Sequence, residues 1–220
     1  SLGISTAIAL GALVCIARSA PNTGVAGAYA AFTCAVLVWG WHELAFLTGW
    51  LTGPRKDACS APLHGPTRFN EAVQTILWHE LAIIGMGIAI AALTWGGANQ
   101  VATWTFALLW VMRLSAKFNL FLGVRNRGEE FLPPHLLYLA SYFRRRKINA
   151  LLPLSVLAGT VVAVVMIASA IDASGAARTG LLLVASMLVL ALIEHVLLVT
   201  PLPPTLLWRW ALRSPATTAP

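Results

Sequence analysis

The stretch Val25–Leu47 reads VAGAYAAFTCAVLVWGWHELAFL, 23 residues in which only His42 and Glu43 can carry charge near neutral pH. A hydrocarbon core about 30 Å thick is crossed by roughly 20 predominantly apolar residues in a helix. This run therefore reads as a transmembrane span. Five further runs have the same character, Leu2–Ala17, Thr75–Trp95, Val101–Phe121, Leu151–Ile171 and Thr179–Val199, separated by short polar breaks. Composition agrees: 58% of the 220 residues are hydrophobic and 10% charged, with a mean hydropathy of +0.77, far from the balance of a soluble domain. The expected fold is all-α, a polytopic integral membrane helix bundle of about six transmembrane helices, forming a single domain over residues 1–220.

Orientation follows from the basic residues, which are retained on the cytoplasmic side of short loops. With alternating helices, Arg55, Lys56, Arg68, Arg113, Lys117, Arg125, Arg127, Arg144, Arg145, Arg146, Lys147, Arg209 and Arg213 share one side, and Arg18 and Arg178 face the other. A partition of 13 against 2 supports both the cytoplasmic placement of the basic loops and the six-span count, because omitting one span scrambles it. The net charge of +7 is thus an orientation signal. No motif or basic, aromatic-interleaved domain points to nucleic acid. The first run does not read as a secretory signal, the expectation resting on Arg18 following the apolar residues and on no basic residue standing before them in this sequence.

The connection 119–149 is the one substantial cytoplasmic feature. Glu129 and Glu130 precede Pro133, a residue suited to a first helical turn, and Leu136, Leu137, Leu139, Tyr142 and Phe143 precede the basic run Arg144–Lys147. That pattern predicts a short helix along the membrane surface, with the basic cluster facing anionic headgroups or simply stopping translocation.

WHELA occurs twice, at Trp41–Ala45 and Trp78–Ala82. The second span runs toward the cytoplasm and the third runs back, so both copies fall at similar depth; Glu194 and His195, near the end of the last span, bring a third pair there. The fourth span adds Arg113, Lys117 and Asn119. A charge at mid-span costs roughly 2.5–3.5 kcal/mol on insertion scales, so these groups should face the bundle interior. Four uses are open. His42, Glu43, His79, Glu80, Glu194 and His195 are candidate ligands of a divalent metal or di-iron centre, although Glu and His stand at adjacent positions and not at the i, i+3 spacing of di-iron bundles. His42, His79 and His195 are candidate axial ligands of a bacteriochlorophyll-type macrocycle, with Trp39, Trp41, Trp78, Trp95, Trp104 and Trp110 available for packing or for the interfacial belt. The carboxylates could instead pair with Arg113 and Lys117 and hold the helices in register. A proton or ion pathway is the fourth use.

Other features carry less. Cys15 and Cys34 read as small core residues, Cys59 and His64 lack the partners of a zinc site, and His135 reads as an interfacial side chain. Gly49, Gly53, Gly96 and Gly97 read as turn or helix-end residues.

The segments VWGWHELAFLTGWLTGPR, TILWHELA, LTWGGANQVATWTFALLWVMRLSAKFNLFLGV, EEFLPPHLLYLASYFRRR and LIEHVLLV resemble, in the same order and over essentially the whole chain, the PuhE family of photosynthetic complex assembly proteins of phototrophic bacteria. The resemblance implies a further span before Ser1, giving seven in the full-length family. It also implies a role in building the reaction centre and its core antenna, linked to bacteriochlorophyll supply, in the bacterial cytoplasmic or intracytoplasmic photosynthetic membrane. It brings no settled catalytic residues. The expected partners are the lipid bilayer and either reaction-centre and core-antenna subunits or pigment-synthesis proteins. Two functions follow: a non-enzymatic assembly factor that holds pigment or an apoprotein helix, or a membrane metalloenzyme acting on a pigment precursor, quinone or lipid.

Overall fold

The structure, a computed structural model, describes residues 2–60 and 65–201; His64, Arg209 and Arg213 lie outside them. Six α-helices form among the described residues: α1 (Leu2–Ser19), α2 (Val25–Leu47), α3 (Pro66–Leu93), α4 (Val101–Leu122), α5 (Leu151–Asp172) and α6 (Gly175–Leu197). Each is long and apolar enough to cross a membrane, as the apolar runs predict.

Helix α2 is the hub of the bundle and packs against α1, α4 and α6. Its buried positions include Gly27, Ala28, Ala31, Ala35 and Ala45, small residues that let helix backbones approach where lipid offers no hydrophobic drive to association. Around them Ile16, Val38, Trp39, Ile83, Ile90 and Phe106 form the main apolar core. A smaller cluster of Met112, Ala163 and Leu188 joins α4, α5 and α6. Outward positions of α5 such as Leu154, Leu157, Val161 and Val164 are exposed, the surface a bilayer would cover.

Helix α3 starts at Pro66, well before the apolar run that begins at Thr75. Its first turns are polar because they bind loops. The guanidinium of Arg68, buried although charged, donates to the Phe121 carbonyl at 3.3 Å, near the C-terminus of α4, and to the Tyr142 carbonyl. It also lies 4.0 Å from the centre of the Phe121 ring. A cation on the unpaired last carbonyls of a helix satisfies both hydrogen bonding and the helix dipole.

The α2–α3 loop is held against the α3 backbone. Thr52 accepts from the His79 N–H at 2.9 Å, and the Arg55 N–H donates to the Gln74 carbonyl at 3.3 Å. Gly53 makes this approach possible, since a Cβ there would collide with the Gln74 carbonyl and stand 2.5 Å from the Thr75 carbonyl carbon.

The connection 119–149 holds two 3₁₀ helices, Glu129–Phe131 and Pro134–Tyr142. Leu136 and Leu139 are buried with Phe46 in an apolar cluster that Ile76 and Phe143 complete, whereas Leu137 is exposed. The inner apolar face of this segment thus packs on protein, on the ends of α2 and α3. His135, read as an interfacial side chain, is 3.0 Å from the Leu47 carbonyl through its Nε2. Asn149 closes the connection: its Nδ2 donates to the Asn119 and Gly123 carbonyls, and its Oδ1 accepts the Leu151 and Leu152 N–H groups at the start of α5.

Candidate functional site

Helices α2, α3, α4 and α6 bring the predicted polar residues to one end of the bundle, the end that carries the 119–149 connection. The side chains do not form one centre. They divide into three linked groups.

In the first, Arg113 of α4 reaches Glu43 of α2 at 3.1 Å and Glu194 of α6 at 3.7 Å. One cation thus ties three helices together. In the second, Lys117, one turn further along α4, lies 2.5 Å from Glu80 of α3. The other oxygen of Glu80 accepts the Trp110 indole N–H at 3.1 Å. Arg113, Lys117 and Trp110 stand three and four residues apart on one helix, the spacing that places them on a single face. In the third, His195 of α6 joins α4 and α5. Its Nδ1 is 2.8 Å from the Ala191 carbonyl and so bears the proton there, while its Nε2 is 3.0 Å from Ser115 Oγ. Ser115 Oγ in turn lies 3.0 Å from Ser155 Oγ of α5. Asn119 is fully buried and donates to the Ser115 carbonyl at 2.9 Å.

His42 and His79 stand apart. Both are enclosed, at 1% and 0% exposure, and none of their four ring nitrogens has a hydrogen-bond partner. His79 Nε2 is 4.0 Å from Glu43 Oε1, itself a buried oxygen without a partner. The His42 ring packs edge-on to Trp41 and Phe106, and the His79 ring lies 4.7 Å from that of Phe46. His195 has both nitrogens engaged. Among the described residues, no three His, Cys, Asp or Glu side chains are grouped to hold a metal ion. The carboxylates face Arg113 and Lys117.

Beside the ion pairs lies a cavity of about 620 Å³ between α3 and α4, closed at one end by the 3₁₀ segment and the end of α6. Its wall is mostly apolar, with Glu80, Lys117, Arg113 and Glu194 grouped on one side. Sequence reasoning missed this cavity, along with the roles of Ser115, Trp110 and Arg68. Ser115 was recoverable from its place two residues before Lys117 and two after Arg113, on the face of α4 turned away from both.

The fold and this cluster define a polytopic α-helical membrane protein whose spans are joined by interhelical ion pairs beside an apolar cavity. The chain belongs to the family described as "Protein of unknown function (DUF3623)", whose model matches residues 1–219. It is 43% identical over 206 residues, covering 93% of this chain and 75% of the relative, to a protein of Rhodobacter capsulatus described as "Uncharacterized 30.4 kDa protein in puhA 5'region". No solved structure matches the chain.

Proposed function

We propose that this protein is a membrane assembly factor for the photosynthetic reaction centre and its core antenna, linked to bacteriochlorophyll supply. It acts in the bacterial cytoplasmic or intracytoplasmic membrane with its basic loops cytoplasmic. The observation that carries this reading is the relative in the puhA 5' region, set beside the resemblance of the chain's long segments to the PuhE family. The geometry supports a holding role: an apolar cavity with a polar wall, inside a bundle tied by salt bridges, suits retention of an amphiphilic component or of an apoprotein helix. The metalloenzyme alternative gains no support, since the carboxylates it needs as ligands face Arg113 and Lys117.

The test is purification of the tagged chain in mild detergent from a pigment-producing phototrophic host. Bacteriochlorophyll absorption together with reaction-centre or antenna subunits is the expected result. A pigment-free spectrum with no photosynthetic subunit in the eluate would overturn the proposal.

A further inference from the structure

The basic run Arg144–Lys147, between the end of α4 and the start of α5, is held in a fixed shape. Its backbone lies extended beside Val124 in a parallel bridge centred on Arg145. The Arg144 N–H donates to the Leu120 carbonyl at 3.1 Å, the Val124 N–H to the Arg144 carbonyl at 3.1 Å and the Arg146 N–H to the Val124 carbonyl at 3.2 Å. Gly123 permits this approach: its φ is +121°, and a Cβ there would stand 2.8 Å from Arg146 Cγ. Asn149 fastens the same turn to the start of α5. Retention of a loop on one side of the membrane needs only charge near a span end. A backbone pinned at three hydrogen bonds goes further and fixes where the basic side chains leave it.

These charges are unanswered by the protein. Arg125, Arg145, Arg146 and Lys147 are exposed, and neither they nor Arg144 forms an ion pair among the described residues. Glu129, the acidic residue nearest Arg125 in sequence, is taken by Arg127 at 2.7 Å. Arg68 adds a further cation, held by two carbonyls, and Arg144 stands close enough for the two charges to repel. Such a concentration of guanidinium groups favours an oxyanion, and the planar fork of arginine matches phosphate. The surface beside the charge selects a lipid. Leu122 and Ile148 flank the basic residues and are exposed, and Leu154 and Leu157 continue an exposed apolar surface along α5. The apolar runs end at Phe121 and resume at Leu151, which sets the pinned segment at headgroup depth with hydrocarbon next to it. A soluble phosphate or an acidic peptide would leave that apolar surface unused.

We propose that Arg125 and the extended segment Arg144–Lys147 bind the phosphate of an anionic phospholipid, whose acyl chains lie along Leu122 and the outward face of α5. The site needs neither pigment nor a photosynthetic subunit, so its test is independent of the assembly reading.

Native mass spectrometry of the purified chain in a neutral detergent, titrated with dioleoyl phosphatidylglycerol or dioleoyl phosphatidylcholine, counts bound lipid directly. A basic residue near an anionic surface contributes about fivefold in affinity. Arg145→Gln combined with Arg146→Gln should therefore weaken phosphatidylglycerol binding by roughly 25-fold, and the wild-type preference over phosphatidylcholine should be at least that large. Arg18→Gln combined with Arg178→Gln removes the same net charge from the far end of the bundle and should leave binding unchanged. Gly123→Ala alters no charge yet displaces Arg146, and should cost about fivefold. Circular dichroism checks that each variant is folded, and the two double variants decide the matter if Gly123→Ala is not. Equal affinity for the two lipids, equal losses in the two double variants, or full binding by a folded Gly123→Ala protein overturns the proposal. So does displacement of the lipid by glycerol 3-phosphate or by a polyglutamate peptide at matching concentration, which would give the site to a free phosphate or to an acidic protein segment.

Discussion

Replacing Lys117 by Met should be among the most damaging changes in the bundle. Its Nζ lies 2.5 Å from Glu80 Oε1, with side-chain exposures of 18% and 15%. At an effective dielectric of about 20 the gross attraction is roughly 6–7 kcal/mol, most of it offset by the desolvation of two charges. Removal of one partner is the expensive case, because Glu80 would keep only the Trp110 N–H as a donor. Breaking a buried pair in this way costs about 3–5 kcal/mol. Glu80→Gln, which leaves Lys117 uncompensated, should cost a similar amount. The double variant removes both charges and should lose less than the two single losses together, with a coupling of about 1–3 kcal/mol. Unfolding by sodium dodecyl sulfate in mixed micelles, followed by circular dichroism, measures all four proteins. Additivity within about 0.5 kcal/mol would refute the reasoning, because the charges would then not sense each other.

Gly53→Ala should detach the α2–α3 loop from α3 at a cost of about 1–3 kcal/mol, as for other overpacked sites, read in the same titration and in faster proteolysis after Arg55 or Lys56. His195→Ala leaves Ser115 without its imidazole partner and should cost about 1–3 kcal/mol, whereas Ser155→Ala, at the far end of that chain of hydroxyls, should cost less; equal losses would break the proposed order. Tyr142 supplies a pH dependence outside the spans. Burial raises its phenol above the ordinary value of 10.0, against the lowering effect of the Arg55 hydrogen bond. A pKa raised by folding means stability fully present below pH 10 and lost as pH climbs through the higher folded value. Tyr142→Phe should therefore flatten the alkaline part of the stability profile, and an unchanged slope would contradict this.

The spans were legible because bilayer thickness sets a length that composition must meet, and all six apolar runs coincide with helices. Helix ends were less legible. Hydropathy marks the membrane-buried part of a helix, so the polar start of α3 at Pro66, where Arg68 caps α4 across the bundle, reads as loop. Depth was legible too, since alternating spans place the three His-Glu pairs at one end. Pairing was not. Neighbouring residues on a helix diverge by about 100°, so sequence joins Glu43 to His42 and Glu80 to His79. Rotation of the helices instead sends Glu43 to Arg113 and Glu80 to Lys117, and His42 into an apolar shell. The cavity was illegible for a related reason: Leu114 is an ordinary span residue, Ala72 and Val73 precede the apolar run that begins at Thr75, and only the packing of α3 beside α4 makes them a wall.

The most direct test is genetic complementation in a phototrophic host lacking its own homologue of this chain. Membranes of the deletion strain should show a reduced near-infrared absorbance of the assembled reaction-centre and core-antenna complex, restored by the wild-type chain. Wild-type levels of both complex and bacteriochlorophyll in the deletion strain would contradict an assembly role.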